Sequence, residues 1–97
     1  MVVGTLEARL FVRESRTLKD KRQVVRGILD RVRSGFNVAA AEVETQDDVK
    51  TATLGFAAIG FETAAVQHVL QQIAEALRKH PVAEYLGSEM AVGSEVV

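Results

Sequence analysis

The chain has 97 residues, 47% hydrophobic and 26% charged, which bounds it to one soluble globular domain over 1–97. It has no cysteine, which excludes disulfides, thiolate metal centres and cysteine nucleophiles. A net charge of −1 hides a segregation: residues 13–33 carry eight cations and three anions, +5, against four cations and ten anions, −6, elsewhere.

Residues 2–13 alternate. Val2, Leu6, Ala8, Leu10 and Val12 share one face, and Thr5, Glu7, Arg9 and Phe11 the other, which predicts a half-buried strand. No basic stretch precedes it and no long apolar run follows, so neither a signal peptide nor a membrane span is expected, and the expected location is cytoplasmic. Ser15 and Thr17 in the polar turn "ESRT" are candidate helix caps. From Leu18 the period becomes helical. Lys21, Val24, Val25, Ile28, Leu29 and Val32 form an apolar stripe to about Ser34, with Gly35 as a stop and the Lys21 stem expected to lie along the stripe. Residues 36–45 read as a second strand, "QDD" as a turn and about 50–61 as a third strand. A second helix is predicted from Glu62 to about His80, with Val66, Val69, Leu70, Ile73 and Leu77 inward and Pro81 after it. The tail "EYLGSEMAVGSEVV" predicts a fourth strand, its glycines making it an irregular or edge one.

The order βαββαβ, with right-handed crossovers, predicts the α+β ferredoxin-like two-layer sandwich. Its antiparallel sheet has strands 1 and 3 central, strands 2 and 4 at the edges, and both helices on one face.

Residues 54–61, "LGFAAIGF", partly match a strand signature of one RNA-recognition fold, whose inner aromatics stack bases. Parity opposes that use. Ala52, Leu54, Phe56 and Ala58 bury more apolar surface than their neighbours, so Phe56 should face the core. The open face then presents Gly55 and Ala57 with Phe11, Asn37 and Ala39. This surface of small side chains around one aromatic suits a two-fold homodimer as well as plain solvation.

On the first helix Lys19, Arg22, Arg26 and Arg33, continued by Arg13 and Arg16, form a basic patch. Phosphate backbones attract such patches through counterion release. RNA is the partner this predicts; an acidic partner, such as the Glu42 and Glu44 region of a second copy, and an ordinary solvated helix face are the other readings.

No catalytic or metal-binding constellation is found. His68 and His80 lie twelve residues apart on one predicted helix, about 18 Å, and cannot share an ion. His80 is expected to act as a charge against the helix dipole. Asp47 and Asp48 suit a turn. No serine sits in a nucleophile motif. No cofactor or small-molecule substrate is implied, and the chain is read as non-enzymatic. One enzyme comparison holds loosely. Acylphosphatases share this topology and bind phosphate with an arginine in the first strand–helix loop and an asparagine on the second strand, to which Arg16 and Asn37 loosely correspond. The loop here lacks their glycines.

The stretch "TLKDKRQVVRGILDRVRSGFNVAAAEV" and the block "QDDVKTATLGFAAI" resemble the YlxP-like family of small bacterial proteins over nearly the whole chain. Thr17 stands where serine is usual, and Val49 where tryptophan is common. The resemblance implies a ferredoxin-like fold, no established activity and no catalytic residues. Family genes often lie among those for translation initiation and ribosome maturation, which implies a ribosomal or other RNA partner.

Overall fold

The computed structural model describes residues 1–94. The elements are β1 (Val2–Val12), α1 (Leu18–Gly35), β2 (Ala39–Glu42), β3 (Thr51–Gly60), α2 (Thr63–Arg78) and β4 (Ala83–Gly93). They form one antiparallel sheet of order β2-β3-β1-β4 with the helices packed on one side, the ferredoxin-like arrangement expected.

Alternation on β1 sets the layers. Leu6, Ala8, Leu10 and Val12 are buried beneath the helices and meet Phe56, Leu54 and Ala52 of β3 across the ladder. Phe56 is 2% exposed, so its ring is a core ring and offers bases nothing. The helices supply Val25, Ile28, Leu29 and Val32 from α1 and Val66, Leu70, Ile73 and Leu77 from α2, each set on one stripe of its helix.

Two glycines set how closely α2 lies on the sheet. A Cβ at Gly4 would stand 2.6 Å from Val66 and 2.8 Å from Leu70, and one at Gly60 would stand 2.9 Å from Val66. The missing side chains admit the first turns of α2, so helix and strands share one continuous core.

The caps follow the chemistry of their residues. Thr17 is the N-cap of α1: its hydroxyl accepts from the Asp20 N–H, while the Asp20 carboxylate accepts from the Thr17 and Arg16 N–H groups. Those backbone donors, the Arg16 one foremost, hold the Asp20 carboxyl below its usual range. Ser15, the other cap candidate, is buried instead. Its hydroxyl donates to the Val49 carbonyl at 2.7 Å, with the Thr17 carbonyl 3.1 Å away.

Of the two edge strands, β2 departs from expectation and β4 meets it. β2 is shorter than predicted, because residues 36–38 form the exit from α1: the Phe36 N–H bonds Val32 and the Val38 N–H bonds Phe36. β4 is a full strand at the sheet edge. Its irregularity is a single bulge at Leu86, between the Arg9–Gly87 and Leu10–Tyr85 pairs, with Gly87 at φ +153°. The last three residues of the expected strand, 95–97, lie outside the described residues.

His80 lies beyond α2 and is no dipole charge. Its Nδ1 accepts from the Val82 and Ala83 N–H groups, which needs the neutral ring, and it lines a small pocket of about 90 Å³ with Phe36 and Arg31. Burial first, then the Arg31 charge, lowers its pKa from the usual 6.5.

Two outcomes are expected. Gly4→Ala should lower stability by about 1–3 kcal/mol through overpacking against Val66 and Leu70, read by urea denaturation. The unfolded chain takes up the His80 proton more readily than the folded one. This contribution to stability is therefore complete above about pH 6.5 and lost as pH falls through the lower folded value. In His80→Asn that slope should vanish from melting midpoints taken between pH 8 and pH 5.

Candidate functional site: a basic helix flank and an acidic sheet face

One buried charge underlies both surfaces. Lys21 is 0% exposed, so its head is buried along with the stem that was expected to lie on the apolar stripe. Its ammonium donates to Glu42 Oε2 at 2.8 Å, to the Thr51 carbonyl at 3.1 Å and to the Thr45 carbonyl. Three N–H groups thus meet three acceptors, which a buried ammonium requires. The Thr45 hydroxyl bonds Glu42 in turn and accepts the Thr53 N–H. On the neighbouring side Lys50 donates to the Arg13 and Ser15 carbonyls at 2.6 and 2.8 Å, and Asp48 accepts from the Lys50 and Thr51 N–H groups. Those two bonds, Thr51's foremost, hold the Asp48 carboxyl below its usual range. Asp47 and Asp48 are therefore turn residues, as expected, and Asp48 closes the turn itself.

Arg16, Lys19, Arg22 and Arg26 lead from the start of α1 along one of its flanks, all exposed and none in an ion pair among the described residues. From Lys19 they recur at spacings of three and four, which sets like charges side by side at a cost to the helix. The other two members of the predicted patch are engaged. Arg13 pairs with Glu84 at 3.1 Å and stands 5.4 Å from the Phe11 ring centre. Arg33 bonds the Ala40 carbonyl of the edge strand and approaches Asp30 at 3.4 Å.

The open sheet face is ordered in rows by the ladders. Ala39, Ala57, Thr5 and Ala91 make one row, and Ala41, Gly55, Glu7 and Glu89 the next. Phe11 sits at one end beside Thr51 and Glu84, and Ile59 at the other beside Val3. Ile59 is 68% exposed and Phe61, just past the strand, 93%. Gly55 does not lie bare: a Cβ there would stand 2.7 Å from Val43, whose side chain rests over it. Between Val43, Glu44 and Glu7 runs a groove of about 490 Å³ floored by Ala39, Ala41, Ala57 and Gly55. Asn37 is exposed but precedes β2 and does not join the rows.

The acylphosphatase comparison is not assembled here. Arg16 precedes α1 and Asn37 follows it, so the helix of 18 residues, about 27 Å long, separates them. Among the described residues no cluster of three His, Asp or Glu could hold a metal ion, and no helix is long and apolar enough to cross a membrane.

Sequence reasoning located the basic flank and the small residues of the sheet. It missed the burial of Lys21, the facing Glu7 and Glu89, and the exposure of Ile59 and Phe61. The parity that turned Phe56 inward already placed Ile59 and Phe61 on the odd, outward register.

The architecture defines a small ferredoxin-like α+β protein with a cationic helix and an anionic sheet. The family model for the protein of unknown function DUF503 matches residues 3–90, and the chain belongs to that family. It is also similar to the uncharacterized protein YlxP of Bacillus subtilis (strain 168), 29% identical over 83 residues, 86% of this chain and 90% of that one.

Lys21→Met should cost about 3–5 kcal/mol in urea denaturation, because Glu42 is left without its buried partner. Adding Glu42→Gln should recover part of that loss, and a double-mutant cycle measures the coupling.

Proposed function

We propose that this protein is a cytoplasmic, non-enzymatic RNA-associating protein that lays the α1 flank along a phosphate backbone of ribosomal or other RNA. The observation that carries this is the run of exposed cations at Arg16, Lys19, Arg22 and Arg26, none of them in an ion pair among the described residues. Their mutual repulsion is relieved when phosphates replace the counterions, and the gain is sequence-independent. The open face does not serve this purpose: Phe56 is internal, and Glu7 and Glu89 repel phosphate where bases would stack.

The second reading is a homodimer stacked two-fold through the open face over Gly55 and Ala57. The groove and its small residues favour it. The carboxylates of Glu7 and Glu89, brought against their own copies, weigh against it.

About four phosphate contacts correspond to an affinity loss of roughly 100-fold between 50 and 200 mM salt on duplex RNA. Fluorescence anisotropy with labelled RNA should show that salt dependence, and at least a tenfold weaker affinity in Arg22→Glu/Arg26→Glu. Unchanged affinity in that variant, or no binding by the wild type at 50 mM salt, rejects the reading.

A further inference from the structure

The groove on the open face is chemically unlike the helix flank, and it fits a different ligand. We propose that it binds an extended, lysine- or arginine-bearing segment of a protein partner. This inference stands apart from the RNA reading, since it uses the opposite layer and the opposite charge.

Glu7 and Glu89 are direct cross-strand partners, an arrangement that lowers the stability of a sheet unless a cation lies between them. Glu44 stands across the groove from Glu7. None of the three is in an ion pair among the described residues, although Arg9 is close by on β1. With Arg9 the one cation beside these three carboxylates, the face holds an excess of negative charge beside an apolar floor. A basic side chain meets both: its aliphatic stem lies over Ala57 and Ala41 beside Val43, and its head reaches the carboxylates.

The shape selects an extended chain. Two strand spacings separate β2 from β1, about 10 Å, while a helix with its side chains is itself about 10–12 Å across. Val43 and Glu44 wall one side of the floor, so a strand-like segment settles deeper than a helix. Beyond the groove the outward register of β3 continues to Ile59 and Phe61, which offer an anchor for one apolar residue of the same segment. A phosphate backbone is repelled by this face, and the described carboxylates form no metal cluster.

The test is an amide chemical-shift titration of the full chain with a nine-residue peptide of lysine and serine carrying one leucine, at 50 mM salt. An analogue with glutamate for lysine is the control. Shifts confined to the rows of Thr5, Glu7, Ala41, Gly55 and Ala57 and to Ile59 and Phe61 are expected, with none from the analogue. Glu7→Gln/Glu89→Gln should weaken binding at least tenfold while melting no lower than the wild type, because it removes a repulsion; loss of binding there is then not loss of fold. Arg22→Glu/Arg26→Glu should bind the peptide as the wild type does, whatever its affinity for RNA. Absent shifts at millimolar peptide, shifts centred elsewhere, equal binding of the analogue, or undiminished affinity in the glutamine variant each overturn the proposal. So does the same face shifting with protein concentration alone, which would make the occupant a second copy.

Discussion

A single ammonium group, that of Lys21, decides how the layers of this protein are joined. It comes from the first turn of α1 and is satisfied by Glu42, by the Thr45 carbonyl of the β2–β3 connection and by the Thr51 carbonyl at the start of β3. Removing a charge from water is costly, and the cost is offset only when each N–H finds its acceptor in the right place. Helix, edge strand and connection are thereby held to one geometry. Ser15 and Lys50 extend the same stitching to the β1–α1 turn. The basic flank begins on this turn and the groove is walled by this connection, so the clamp ties together the elements that bear both surfaces. The clamp and the cap fall within the stretch that carries the family resemblance: Thr17, where serine is usual, and Asp20 make the capping box, and Lys21 and Glu42 the buried pair.

The near-zero net charge hides an uneven distribution. A helix flank of cations and a sheet face of anions lie in different layers, and each sets like charges close together. Packing does not demand either arrangement: both sets are largely exposed, and exchanging them for neutral residues would leave the core as it is. Stability given up without a structural return is expected where a surface is shaped for a partner.

Much of the fold was legible because the apolar periods of β1, β3 and both helices agree with each other. One parity argument on β3 fixed which side of the sheet the helices cover. Lys21 was illegible for a specific reason. A lysine on an apolar helix stripe has the same pattern whether its head turns outward or inward, and its acceptors lie 21 to 30 residues away in a stretch with no regular period. The end of α2 misled similarly, since a histidine near a helix C-terminus suits a dipole argument. The backbone donors that settle its state belong to the next turn. Glu7 and Glu89 were separately visible as polar strand residues, but only the register of β1 against β4 made them neighbours.

The sheet's two edges also bear on how the protein lives at high concentration. An open sheet is a template for its own extension. Here one margin is a strand of four residues with a guanidinium on one of its carbonyls, and the other is interrupted by the bulge at Leu86. A strand aligned with β4 on one side of the bulge is a residue out of step on the other, so neither margin offers a long uninterrupted ladder. The broad face can stay uncovered and available to a partner, while the edges resist the runaway stacking to which such a surface would otherwise be prone.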